Sequence, residues 1–107
     1  MSARRLVQRP QARRDVLAIV AYIAERNPAA ARTLLAAFKQ ALTTLRAHPE
    51  AGRRYAPGHT ALAGVRALPI AGFPDYLIFT RYDGATVEVI RVLHVARDIL
   101  SILDRQP

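Results

Sequence analysis

A chain of 107 residues without a cysteine is long enough to bury roughly two-thirds of its unfolded surface around one core, and it excludes disulfides, thiolate metal sites and a thiol nucleophile. Sixteen basic against eight acidic side chains leave a formal charge of +8, which favours acidic partners. The longest apolar run, Val16 to Ala24, is nine residues, against the about 20 that a membrane-spanning helix requires.

The N-terminal MSARRLVQRP carries the charge of a signal peptide, but neither an apolar stretch nor a small-residue cleavage site follows it. A single domain over residues 1–107, cytoplasmic and without a membrane partner, is the expectation. Arg5 to Arg9 alternates as a short first strand, with Leu6 and Gln8 facing opposite to Val7. Pro10 opens a helix in which Val16, Ile19, Val20 and Ile23 recur at helical spacing, away from Arg13, Arg14, Glu25 and Arg26. This helix closes near Asn27. Asn27-Pro28 then starts a second helix, because asparagine caps well and proline is tolerated at the first helical position. The second helix runs to about His48 with Leu34, Phe38, Leu42 and Leu45 on one stripe, and so short a connection folds the pair back as a hairpin.

From Pro49 to Gly64 the periodicity disappears among Pro49, Gly52, Pro57 and Gly58, as expected of a loop with at most one short helical turn. Val65 to Ile70 is a strand, Ala71 to Asp75 a break, and Tyr76 to Tyr82 the next strand. Asp83-Gly84 is a hairpin signal, and the last strand closes in RVLHVARD, Arg91 to Asp98. A final short helix starts near Arg97 and carries Ile99, Leu100, Ile102 and Leu103 inward. The fold class is therefore α+β: an N-terminal strand, a helical hairpin, a three-stranded antiparallel sheet and a short C-terminal helix.

Polar chemistry concentrates where the last strand ends, at His94, Arg97 and Asp98. His94 shares strand parity with Ile90 and Val92, which suits a half-buried histidine tied to Asp98 or to a main-chain carbonyl as well as a catalytic one. Asp98 suits a helix start through the helix dipole, and Arg97 is placed to meet an acidic group. Arg66, Arg81 and Arg91 lie on strands and together would make a basic sheet surface, although charges at alternate strand positions also serve solubility alone. Tyr76 and Tyr82 share a face with Ile78 and read as core-edge residues. His48 and His59 stand alone, so there is no metal spacing, and no cofactor motif accompanies them. Fifteen of the sixteen cations are arginine, which suits bidentate carboxylate or phosphate contacts. The twenty alanines point equally to a coding bias that writes arginine for lysine. Five arginines before Asp15 raise a general nucleic-acid-binding module as one reading, without a helix-turn-helix, zinc or aromatic RNA-binding pattern to support it.

Ala12, Asp15, Ile19 and Tyr22-Ile23-Ala24, followed by Asn27-Pro28 and Ala31, then Leu45, Pro49 and Gly52, the Tyr76 to Tyr82 strand and RVLHVARD, resemble in order and spacing the RelE/ParE superfamily of bacterial toxins. These belong to type II toxin-antitoxin systems, and the ParE branch is the more similar. The resemblance covers nearly the whole chain. It implies a growth-inhibiting toxin neutralised by an acidic antitoxin encoded beside it, with which it forms a hetero-oligomer. For the ParE branch it implies DNA gyrase as the target, inhibited by binding; Arg66, Arg81, Arg91, His94 and Arg97, from their places on and after the strands, are the residues expected to meet target or antitoxin. The alternative from the same superfamily is a ribosome-dependent messenger-RNA endoribonuclease, which needs a base, an acid and cations around the phosphate. His94, Arg66 and Arg81 would supply these. Against that alternative, Leu68-Pro69-Ile70 is apolar where such nucleases place an arginine, and no tyrosine follows Tyr82. One departure from the family pattern is Arg9, which stands where a Ser or Thr cap often precedes the first helix.

Overall fold

Pro10 at the first turn sets the start of helix α1 (Pro10–Ala24), and Asn27 starts α2 (Pro28–Ala47) by accepting the Ala30 N–H on its side-chain oxygen at 3.0 Å. This is the capping that the Asn-Pro pair predicts. The structure is a computed structural model describing residues 5–105; Arg4 and both ends of the expected 1–107 domain lie outside the described residues. α1 stops at Ala24 rather than Asn27, because residues 25–27 form the turn that folds α2 back along α1. Arg9 offers no cap. Its guanidinium instead grips both Glu88 oxygens at 2.9 and 3.0 Å, tying the start of α1 to the sheet.

Under the helices lie β1 (Arg5–Gln8), β2 (Arg53–Arg54), β3 (Arg66–Ile70), β4 (Phe73–Tyr82) and β5 (Thr86–His94), in the order β1-β5-β4-β3-β2. Among the described residues the sheet thus has five strands, where an N-terminal strand and a three-stranded antiparallel sheet were expected. β1 joins it parallel to β5, Arg5 opposite Thr86 and Gln8 opposite Val89, and all other pairings are antiparallel. β2 is a two-residue edge inside the stretch expected to be loop. The expected break over Ala71 to Asp75 shrinks to the turn at Ala71-Gly72, since Ile70 already faces Phe73. The register then slips after Pro69, so Pro74, which has no N–H, falls at the irregularity where its missing donor costs least.

Two apolar clusters sandwich the sheet. Ala12, Val16, Leu34, Phe38, Ala41 and Leu45 of the helices close on Ile70, Ile78, Val87, Val89 and Val92. On the other face Leu62, Val65, Phe79, Ile90 and Leu93 meet Ile99, Ile102 and Leu103 of α3 (Ile99–Asp104). Each fully buried Leu, Ile or Phe stabilises by about 1.5–3 kcal/mol. Leu100, expected to point inward, is exposed. β5 serves both clusters through a bulge: Phe79 faces Arg91 and Thr80 faces Val89, leaving Ile90 as the extra residue. Ile90 therefore turns to the second cluster, and His94 keeps parity with Val92 but not with Ile90.

Two local features carry separable stability. Gly52 has φ +94, and a Cβ there would come within 2.6 Å of the Ala67 carbonyl oxygen, whereas Gly84, at φ +96 in the β4–β5 turn, has open space around it. Gly84→Ala should cost about 1–2 kcal/mol for left-handed backbone alone, and Gly52→Ala distinctly more, because the β2–β3 edge must also part. Urea denaturation of the two variants checks this; equal losses would contradict the close approach. In the same turn the Asp83 carboxylate accepts from the Ala85 and Thr86 amides at 2.9 and 2.7 Å. The hydrogen bonds to Thr86 and then Ala85 lower its pKa. A carboxyl whose folded pKa is depressed stabilises fully above its unfolded value and loses that contribution as pH falls through the folded one. Asp83→Ala should therefore be less stable than the parent at neutral pH, and the gap should close in strong acid; a gap persisting there would show that the ionised carboxylate is not its source.

Candidate functional site

β5 ends on His94, with Tyr76 of β4 beside it in register. The Tyr76 and His94 rings meet edge to face, centroids 5.0 Å apart at 85°. His94 is tied neither to Asp98 nor to any carbonyl among the described residues: its Nδ1 accepts the Ala96 N–H at 3.0 Å, which leaves the ring proton of the neutral form on Nε2. Together with Ala18, Ile19 and Tyr22 of α1, and with Val92, Leu93, Ala96 and Arg97, these rings line a groove of about 480 Å³. It is open to solvent on the helix side, where Tyr22 is 60% exposed. Burial, then the neighbouring Tyr22 and Asp75, raise the Tyr76 pKa, so this phenol stays a neutral hydrogen-bonding group rather than a base. Arg97 is exposed and makes no side-chain hydrogen bond or ion pair among the described residues.

The other site candidates lie elsewhere. Arg91, expected on a basic surface, is instead 8% exposed, with its guanidinium on both Asp15 oxygens at 2.7 and 2.9 Å. The same carboxylate accepts the Val92 N–H at 3.0 Å. The Arg91–Asp15 pair pins α1 to β5 just behind the groove. Arg66 donates to the Gly52 carbonyl at 3.2 Å and lies 3.7 Å from Glu50. Arg81 donates to the Ala61 carbonyl at 3.3 Å, bracing the 3-10 turn Thr60–Leu62. Arg66 faces Thr80 in register, so Arg81, one position on, points to the opposite face of the sheet. Asp98 occupies the position before α3 but makes no side-chain capping bond.

His94 and Arg97 are thus brought together, while Arg66, Arg81 and Arg91 are separated from them and from one another. His94 aligns with Tyr76 and Arg66 with Thr80; four residues along the strand and two strands across put their backbones about 16 Å apart. No group of three or more His, Asp or Glu among the described residues is arranged to hold a metal ion. The groove's aromatic wall, Tyr22 against Tyr76, was missed as a site in the sequence. The one available signal was that Tyr22 falls outside the α1 stripe.

A helical hairpin packed on a mixed sheet, with an aromatic groove at one strand end, defines an α+β domain. The fold is similar to a solved chain described as "Chromosomal ParDE TA system from P. aeruginosa", at TM-score 0.71 and 20% identity, covering 86% of this chain and 96% of that one. The sequence matches the family described as ParE toxin of type II toxin-antitoxin system, parDE, over residues 6–99, and the chain belongs to that family. No curated protein matches it significantly.

Proposed function

We propose that this chain is the toxin of a bacterial type II pair, acting in the cytoplasm by binding and inhibiting DNA gyrase and held silent in a complex with an acidic antitoxin. Membership of the ParE family over residues 6–99 supports the toxin and antitoxin parts of this reading. The observation that carries gyrase binding over RNA cleavage is the dispersal of His94, Arg66 and Arg81: acid-base catalysis needs its groups within hydrogen-bond reach of one substrate, and Arg66 and Arg81 leave opposite faces of the sheet. The His94–Arg97 groove is the surface assigned to the target, because exposed aromatic area beside an unpaired arginine is what anchors protein interfaces. Arg66 and Arg81 remain contacts for the partner proteins, and Arg91 acts by positioning the groove from inside. The net charge of +8 suits an acidic antitoxin that orders on binding.

Inducible expression with and without the neighbouring reading frame tests the pair. Growth should arrest with the chain alone and recover with both. Arrest that the neighbouring product does not relieve, or no arrest at all, would contradict the reading.

A further inference from the structure

A second cavity, about 270 Å³, opens between β2, β3 and the loop bearing the 3-10 turn, and Glu50, Arg54, Tyr55, Arg66 and Tyr82 are among its walls. Arg54 stands directly opposite Arg66 in the β2–β3 register. The next pair along is joined by the Tyr55 N–H to the Val65 carbonyl at 2.9 Å. Arg54 and Arg66 therefore form the non-hydrogen-bonded pair, the kind in which side chains approach most closely. Two like charges so placed repel. Arg66 is partly compensated by the Gly52 carbonyl, but Glu50, 3.7 Å away and with its side chain 70% exposed, is too distant for a good hydrogen bond. Arg54 is exposed and its side chain makes no hydrogen bond or ion pair among the described residues. The cavity thus holds one cation in excess and a loosely attached carboxylate at its edge.

We propose that this cavity receives a side-chain carboxylate of a protein partner, clamped between Arg54 and Arg66 while Glu50 swings out to solvent. The partner is the antitoxin, so the inference rests on the function proposed above. Paired guanidinium forks match the planar carboxylate. A nucleic-acid strand fits less well, because a polyanion needs a track of cations. Arg53 alternates to the other face of the sheet, Ala61 to Gly64 bring no charge, and Glu50 at the mouth would repel a chain of phosphates. A single carboxylate simply takes Glu50's place.

Calorimetric titration of the purified chain with the product of the neighbouring reading frame tests this. Arg54→Gln should weaken the complex about tenfold or more, as loss of a charge-assisted hydrogen bond does, whereas Arg53→Gln, with the same change in charge on the other face, should leave it nearly unchanged. Glu50→Gln should tighten binding more than Glu25→Gln, which makes the same charge change at the end of α1. Equal effects of Arg54→Gln and Arg53→Gln overturn the inference while leaving the antitoxin reading intact. If Arg54→Gln instead weakens binding only to a fluorescent single-stranded RNA, the cavity is a phosphate site and the inference is wrong. A parent chain that does not bind the neighbouring product overturns both.

Discussion

Asp15→Ala should cost the fold about 3–5 kcal/mol, the usual result of removing one partner from a buried ion pair. The pair's side chains are only 9% and 10% exposed, so the stranded Arg91 guanidinium has little water to turn to, and the Val92 amide loses its acceptor as well. Against a typical domain stability of about 5–15 kcal/mol, that is a large fraction. Arg91→Met should be similarly damaging, because it leaves the Asp15 carboxylate buried without its cation. Asp15→Ala combined with Arg91→Met should lose much less than the two singles added, with the orphaned Val92 N–H costing about 1–3 kcal/mol. Chemical denaturation of all four proteins checks the cycle, and additive losses would show that the two side chains do not depend on each other. The consequence reaches the groove: Ile19 and Tyr22 lie one and two turns beyond Asp15 on α1, and His94 lies three positions after Arg91.

The second large effect is on growth arrest. Tyr22→Asp and Arg97→Glu alter residues that are exposed and should leave the fold unchanged by circular dichroism. Each should weaken target inhibition about 30-fold, the scale of an interface anchor whose loss costs about 2 kcal/mol. His94→Gln should act through the lost Ala96 contact, the edge of the Tyr76 ring and one contact in the groove, and arrest should weaken a few-fold, on the order of a single interface contact, but persist. A nuclease that used His94 as acid or base would instead lose about 10²- to 10⁴-fold with the protein still folded. Arrest measured against matched expression levels separates the two patterns, and a His94→Gln protein that folds but no longer arrests growth would count against a binding poison.

What the sequence revealed was what neighbours in the chain determine. The α2 stripe of Leu34, Phe38 and Leu45, the Asn27 cap and the Asp83-Gly84 turn depend on residues a few positions apart, and each is present. The missed features depend on distant partners. β2 is only Arg53-Arg54, too short for a period, and exists because Ala67 and Arg66 pair with it. The parallel pairing of β1 with β5 and the cover of α3 over the second sheet face are likewise set by tertiary contact. The site suffered most from one residue: the bulge at Ile90 breaks the alternation that parity arguments assume. Arg91, beside it, meets a carboxylate 76 positions away instead of the surface. Arg54 went unremarked for the same reason, since its importance lies in facing Arg66 across a ladder that no local pattern announces.

The measurement that bears most directly on the central claim is a gyrase supercoiling assay with the purified chain, run beside translating ribosomes loaded with messenger RNA. The chain should block supercoiling, the block should be relieved by the neighbouring gene product and weakened in Tyr22→Asp and Arg97→Glu, and the messenger RNA should stay intact. Unimpaired supercoiling together with ribosome-dependent cleavage that His94→Gln abolishes would contradict it.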